Sequence, residues 1–253
     1  MDALKKIRIL HSNALKFLAA IFMLFDHIGL LFFPTQIWWR IVGRLSMPLF
    51  AFAIAEGCRY TRDKVKHFAL LFGLGAICQI VYYLYDGSLY FSILITFSLS
   101  VLNIYALQYA KKKCFESEKL AQRIPALLLF LFMVALTACI CNLPYCTVDY
   151  GFWGCMLPVF ASLFDFRGIE VGEKLRKFDC LPVRVLCMGI GLLAMCIALE
   201  RQASIIYYAL FTIPLLLLYN GEKGKVNAKY FFYIFYPLHL VVLQGIYILL
   251  YLL

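Results

Sequence analysis

His27 stands inside the first long apolar run of this 253-residue chain, directly after Asp26 and eleven residues after Lys16. On a helix turning about 100° per residue, eleven steps bring Lys16 and His27 to within roughly 20° of one face, about 16 Å apart along the axis. An ionisable group at membrane depth is costly, so it faces a protein interior or a watery cavity. Imidazole is also the side chain best suited to moving a proton near neutral pH. A second histidine lies deep in the last apolar run, in Tyr233-Ile234-Phe235-Tyr236-Pro237-Leu238-His239. Tyr236 and His239 share a face at spacing three, and Pro237 frees a backbone carbonyl one turn earlier. One such histidine is readily structural, bonded between helices. Two, from opposite ends of the chain, point to a shared polar cavity and general-base chemistry.

The remaining charged candidates lie near the ends of apolar runs. Asp26 points about 100° away from His27, which suits pairing with a basic residue on a neighbouring helix. Arg44, in Gly43-Arg44-Leu45-Ser46-Met47-Pro48, needs a carboxylate, a carbonyl or a ligand. Asp26 and Asp149 are its candidate partners, and an interfacial anchor is the plainer role. Glu56 and Arg59 stand three apart, the spacing of a local helical ion pair. Arg59, Arg62, Lys64, Lys66 and His67 follow as a dense basic patch, suited to anionic lipid or to a ligand's phosphates. In Asp149-Tyr150-Gly151-Phe152-Trp153-Gly154, two glycines flank aromatic residues beside a carboxylate. That pattern fits close backbone approach to a substrate, or a tight loop at an aromatic belt.

The elements that must position these residues are membrane helices. Hydrophobic residues make up 64% of the chain and charged residues 15%, far above the ~45–50% apolar content of soluble domains. Apolar runs fall near 15–33, 38–58, 68–85, 89–110, 125–142, 148–164, 184–199, 203–219 and 230–252. The first ends in Leu31-Phe32-Phe33-Pro34 rather than in small residues, so it reads as a retained span and not a cleaved signal. With the N-terminus in the cytoplasm, every Lys and Arg except Lys16, Arg40, Arg44 and Arg201 falls on the arm or on cytoplasmic loops. A re-entrant sixth run would move the last two basic loops outside. The positive-inside rule therefore predicts about nine crossings, N-terminus inside and C-terminus outside. The expected architecture is an all-α integral membrane bundle. It forms a single membrane domain over 1–253, with a short basic cytoplasmic arm (1–13) before the helices (14–252).

The formal net charge of +10 sits in short clusters between apolar runs, which indicates a lipid bilayer and no nucleic acid. The ten cysteines show no metal-ligand spacing. Most fall in apolar runs, where a thiol behaves as a small hydrophobe. Cys141, Cys146 and Cys155 are close enough in sequence to pair, but free thiols are the expected state.

Taken in order, these stretches resemble the TraX family, conjugation-associated membrane proteins linked to N-terminal acetylation of pilin. The resemblance rests on Leu15-Lys16 through Met23, Asp26-His27-Ile28-Gly29, Gly43-Arg44 and Pro48-Leu49-Phe50-Ala51-Phe52. It continues through Ala55-Glu56-Gly57, Thr61-Arg62, Asp149-Tyr150-Gly151 with Gly154, and Tyr233 with Phe235-Tyr236-Pro237-Leu238-His239-Leu240. The family is in turn distantly similar to larger membrane acyltransferases, which carry an arginine eleven residues before a first-span histidine. Lys16 takes that arginine's place here, keeping the charge and losing the planar fork.

The resemblance implies a multi-pass acyltransferase of the bacterial inner (plasma) membrane. Its donor would be cytoplasmic acetyl-CoA, and its acceptor a pilin or another envelope molecule reached from outside. Arg59, Arg62 and Lys64 would then hold the CoA phosphates, with Glu56 in the same donor site, and Asp149 and Tyr150 would lie on the acceptor side. His27 would act as general base or acyl acceptor, with Asp26 and Lys16 in the catalytic set. Arg44 or the Tyr236–His239 face would steady the oxyanion. A proton-coupled transporter or channel using the histidines, Asp26 and Glu56 is the competing class. A purely structural partner in a conjugation machine comes third.

Overall fold

The computed structural model describes residues 8–87, 89–200, 204–224 and 228–251. Residues 1–7 of the expected basic arm, with Arg201 and Lys225, lie outside that set. The helices are α1 (Ser12–Phe32), α2 (Ile37–Gly43), α3 (Ser46–Tyr60), α4 (Lys64–Asp86), α5 (Ile93–Glu116) and α6 (Leu120–Cys141). They continue as α7 (Gly151–Ala161), α8 (Glu173–Arg176), α9 (Leu181–Leu199), a 3-10 helix (Ser204–Phe211), α10 (Thr212–Leu217) and α11 (Lys229–Tyr251). The strands β1 (Tyr90–Phe91) and β2 (Thr147–Val148) pair in parallel.

Among the described residues, seven helical segments are long and apolar enough to cross a membrane, α2 and α3 counting together as Ile37–Tyr60. This is an all-α membrane protein. Local chemistry fixes several helix ends. His11 Nδ1 accepts from the Ala14 amide at the start of α1, and Asp63 accepts from Lys66 N at the start of α4, satisfying otherwise orphaned donors. Gly87, at φ 69°, closes α4 in the left-handed conformation that glycine adopts without a Cβ penalty.

The sixth and eighth apolar runs form shorter elements than their sequence lengths suggest. In the sixth, residues 147–148 are taken up by β2 and Tyr150 has φ 58°, so the helix begins only at Gly151. The segment nevertheless tracks α5. Thr96 Oγ1 donates to Asp149 O (2.8 Å), Ser100 Oγ to Cys155 O (2.7 Å), and Lys111 Nζ to Ser162 O, Leu163 O and Asp165 O (2.8, 3.1 and 2.7 Å). Those contacts advance together along about 22 Å of helix axis. The eighth run gains reach from its 3-10 turns, which rise about 2.0 Å per residue, so 204–217 extends roughly 25 Å.

The chain forms two compact units, Met1–Ala53 with Cys196–Leu253, and Ile54–Met195. In the first, α1 and α11 run parallel. Phe17 meets Phe231 and Phe232, His27 meets His239, and Phe32 meets Tyr247 and Tyr251. The eighth run opposes them. Its 3-10 portion packs on α2, beyond the C-terminal end of α1. Its end reaches the start of α1, where Leu10 N donates to Leu218 O and Asn220 N to Leu10 O.

In the second unit, α4 and α5 are antiparallel, with His67 against Tyr105 and Gly75 against Ile95. Helices α5 and α6 form a hairpin clasped by Asn103 Nδ2 donating to Thr137 Oγ1 at 2.7 Å. The buried hydroxyls of Ser98 and Ser100 bond to carbonyls, as expected where lipid offers polar groups no water. Val101, Ile104, Leu157, Met188 and Leu192 belong to the buried apolar core.

Candidate functional site

The parallel packing of α1 on α11 brings His27 and His239 edge to face, with ring centres 4.9 Å apart and planes at 76°. Each ring is fixed in the same way. His27 Nδ1 lies 2.9 Å from Met23 O, and His239 Nδ1 lies 2.9 Å from Phe235 O, four residues back in each helix. A carbonyl can only accept, so both Nδ1 atoms carry a proton, and in the neutral imidazoles both Nε2 atoms present a lone pair. His239 is 5% exposed, and its Nε2 has no hydrogen-bond partner among the described residues. Phe235 stacks on the His239 ring at 5.1 Å and 8°, and Tyr236 lies edge-on at 5.8 Å. Pro237 is carried within α11. Two bases with defined tautomers thus occupy one polar spot inside an apolar bundle.

One residue before His27, Asp26 is clamped by two arginines. Its Oδ2 accepts from Arg40 Nη1 and its Oδ1 from Arg44 Nη2, both at 3.2 Å. Asp26, one of the two carboxylates open to Arg44 in the sequence, is bonded to it. Arg40 was not singled out there, though its spacing of four from Arg44 puts both on one helical face. The clamp depends on close backbone approach. A Cβ on Gly43 would overlap the Cβ of Asp26, and one on Gly29 would overlap that of Trp39. Ser46 Oγ donates to Ala19 O at 2.8 Å and continues the seam.

Lys16 lies on α1 with His27, as the eleven-residue spacing requires, and its Nζ is 6.0 Å from the Phe232 ring centre. Lys16, Asp26, His27, Arg44, Tyr236 and His239 therefore all belong to the first unit.

Glu56, Arg59, Arg62, Lys64, Asp149 and Tyr150 belong to the second unit. Glu56 Oε1 meets Arg184 Nη1 at 2.5 Å, both side chains 5% exposed. Arg59 Nη1 meets Asp165 Oδ1 at 2.7 Å and Asp179 Oδ1 at 2.5 Å. Beyond the local spacing of Glu56 and Arg59, each has a long-range partner. Arg62 is exposed, and Lys64 Nζ lies 4.9 Å from the centre of the Tyr105 ring.

Arg184, Asp165, Asp179 and Lys111 were invisible as site residues in the sequence, where the basic ones read as loop charges. Lys111 is buried, with its ammonium on three carbonyls, and Arg184 Nε donates to Ala161 O at 3.1 Å. No local spacing signals pairs separated by more than a hundred residues.

At the other loop, Tyr150 and Gly151 both adopt positive φ, 58° and 56°. A non-glycine residue held there stores strain of order 1–3 kcal/mol, a feature that clusters at functional turns. Asp149 N donates to Phe91 O at 3.0 Å, anchoring the turn to β1.

The sequence profile of the TraX protein family matches residues 11–247. Over 255 aligned residues, covering 90% of this chain and 92% of the relative, the chain is 26% identical to the "Probable fimbrial assembly protein FimC, serogroup H1" of Dichelobacter nodosus. No solved structure matches. The matched stretch includes both histidines, the Asp26 clamp and the Asp149–Tyr150 turn, and on that match the chain belongs to the TraX family.

Proposed function

We propose that this protein is an acetyltransferase of the bacterial inner membrane, moving acetyl from cytoplasmic acetyl-CoA to an amine or hydroxyl acceptor. The acceptor is a pilin N-terminus or another envelope molecule, a reading supported by family membership and by the relative's name as a fimbrial assembly protein. The His27–His239 pair supports the chemistry most directly. His27 Nε2 takes the proton of the acceptor N–H or O–H as that atom attacks the thioester carbonyl. The tetrahedral intermediate collapses with cleavage of the C–S bond, and the imidazolium returns the proton to the CoA sulfur. Tyr236 offers its O–H on the oxyanion side, the His239 ring packs edge to face on His27, and Lys16 supplies positive charge on the His27 face. A positioned general base of this kind contributes about 10²–10⁴-fold.

Arg62 and Lys64 are assigned to the CoA phosphates, while Arg59 holds Asp165 and Asp179. The co-directional track of residues 149–165 along α5 and the reach of residues 204–217 support nine crossings, and the positive-inside bias of the basic loops supports an N-terminus inside. The test is purified protein in liposomes with labelled acetyl-CoA and a pilin N-terminal peptide. Transfer is expected from the wild type and lost in His27→Asn, whose amide replaces the Nδ1 donor but not the Nε2 base. Wild-type transfer by folded His27→Asn protein overturns the assignment.

The second reading, a proton-coupled transporter using the histidines, Asp26 and Glu56, is favoured by the His27–His239 pair, since ionisable groups at membrane depth commonly mark ion paths. Solute uptake driven by a pH gradient, in protein that binds no acetyl-CoA, would select it.

A further inference from the structure

Cys141 ends α6 and Cys155 lies just past the first turn of α7, their sulfurs 3.9 Å apart. Cys155 is fully buried, whereas Cys141 is partly exposed. The other nearby thiols are engaged elsewhere or face outward. Cys146 Sγ turns to Ile140 O at 3.8 Å, and Cys139 is exposed.

We infer that Cys141 and Cys155 form a dithiol site that reacts with a small-molecule or protein disulfide and closes a cross-link around residues 142–154. A disulfide needs its sulfurs about 2.05 Å apart. Closing the 3.9 Å gap takes a change of side-chain rotamer at Cys141, which is the last residue of its helix and only partly buried.

Accessibility sets the order of events. The Cys141 thiolate attacks the incoming R–S–S–R, forming a Cys141–S–S–R mixed disulfide and releasing R–S⁻. The Cys155 thiolate then attacks the Cys141 sulfur and releases the second R–S⁻. The two thiol protons end on the two released thiolates. Two cysteine sulfurs are oxidised and one external disulfide is reduced. The loop enclosed carries β2, Asp149 and the strained Tyr150–Gly151 turn, so the cross-link ties both flanks of that turn together.

The full chain, purified in detergent, is equilibrated with oxidised glutathione, denatured in N-ethylmaleimide, digested and analysed by mass. The expected product joins the Cys141 and Cys155 peptides, with neither alkylated until a reductant is added. In Cys155→Ser the resolving thiol is gone, so the cross-link disappears and Cys141 retains one glutathione. Wild-type protein that keeps glutathione on Cys141 with Cys155 alkylated overturns the inference. So does a Cys141–Cys146 link, or alkylation of both thiols. The wild-type measurement decides even if the variant folds poorly.

Discussion

Gly43 and Asp26 touch without an intervening side chain, because a Cβ on Gly43 would occupy the place of the Asp26 Cβ. That bare contact lets α2 approach α1 closely enough for Arg40 and Arg44 to reach opposite oxygens of one carboxylate. Asp26 is the neighbour of His27 in sequence, so the same contact fixes the turn of α1 that carries the imidazole. Gly43→Ala is expected to cost about 1–3 kcal/mol through overpacking, and to lower acetyl transfer as well as melting temperature. Thermal unfolding in detergent, followed by transfer assays well below the new midpoint, separates the two effects.

Removing the carboxylate tests the clamp itself. Asp26→Asn leaves two neighbouring guanidinium groups with an acceptor of no charge. Loss of charged hydrogen bonds of this kind costs about 1.5–3 kcal/mol. Arg40→Gln is expected to cost less than Arg44→Gln, because the Arg40 side chain is 26% exposed and the Arg44 side chain 10%. Equal losses for the two arginines would contradict this ranking.

The imidazole pair gives a sharper result. His27→Asn and His239→Asn both preserve a donor for the carbonyl four residues back, so both proteins are expected to fold. His27→Asn should lose about 10²–10⁴-fold in acetyl transfer if it supplies the general base. His239→Asn should retain base chemistry and lose only the part of the rate that depends on the ring packed edge to face on His27. A rate for His27→Asn above that of His239→Asn would exchange their roles.

These residues were legible in the sequence because each sits in a recognisable local pattern. The Lys16–His27 spacing survives because α1 is a continuous helix, and Tyr236 shares the His239 face for the same reason. Two other features escaped. Arg184 and Lys111 looked like loop charges and Asp165 carried no local signal, but the chain folds Lys111 onto backbone carbonyls, Arg184 onto Glu56 and Asp165 onto Arg59, all far away in sequence. The sixth and eighth runs showed apolar length without showing how that length would be used. A short β-pair and a left-handed Tyr150 shorten one helix, and 3-10 turns lengthen the reach of the other.

Crossing number can be measured on the sixth run. Tyr145 is 86% exposed before α7, and Glu173 is exposed after it. Residues 149–165 run alongside α5 from Thr96 to Lys111, so the loops on either side should face opposite compartments. Single cysteines at 145 and 173 in an otherwise cysteine-free chain are then labelled by an impermeant maleimide on intact cells. The nine-crossing arrangement predicts labelling at 145 and none at 173 until the membrane is opened. Equal labelling at both positions would make the run re-entrant and move the basic residues of 167–184 to the outer face, against the positive-inside bias.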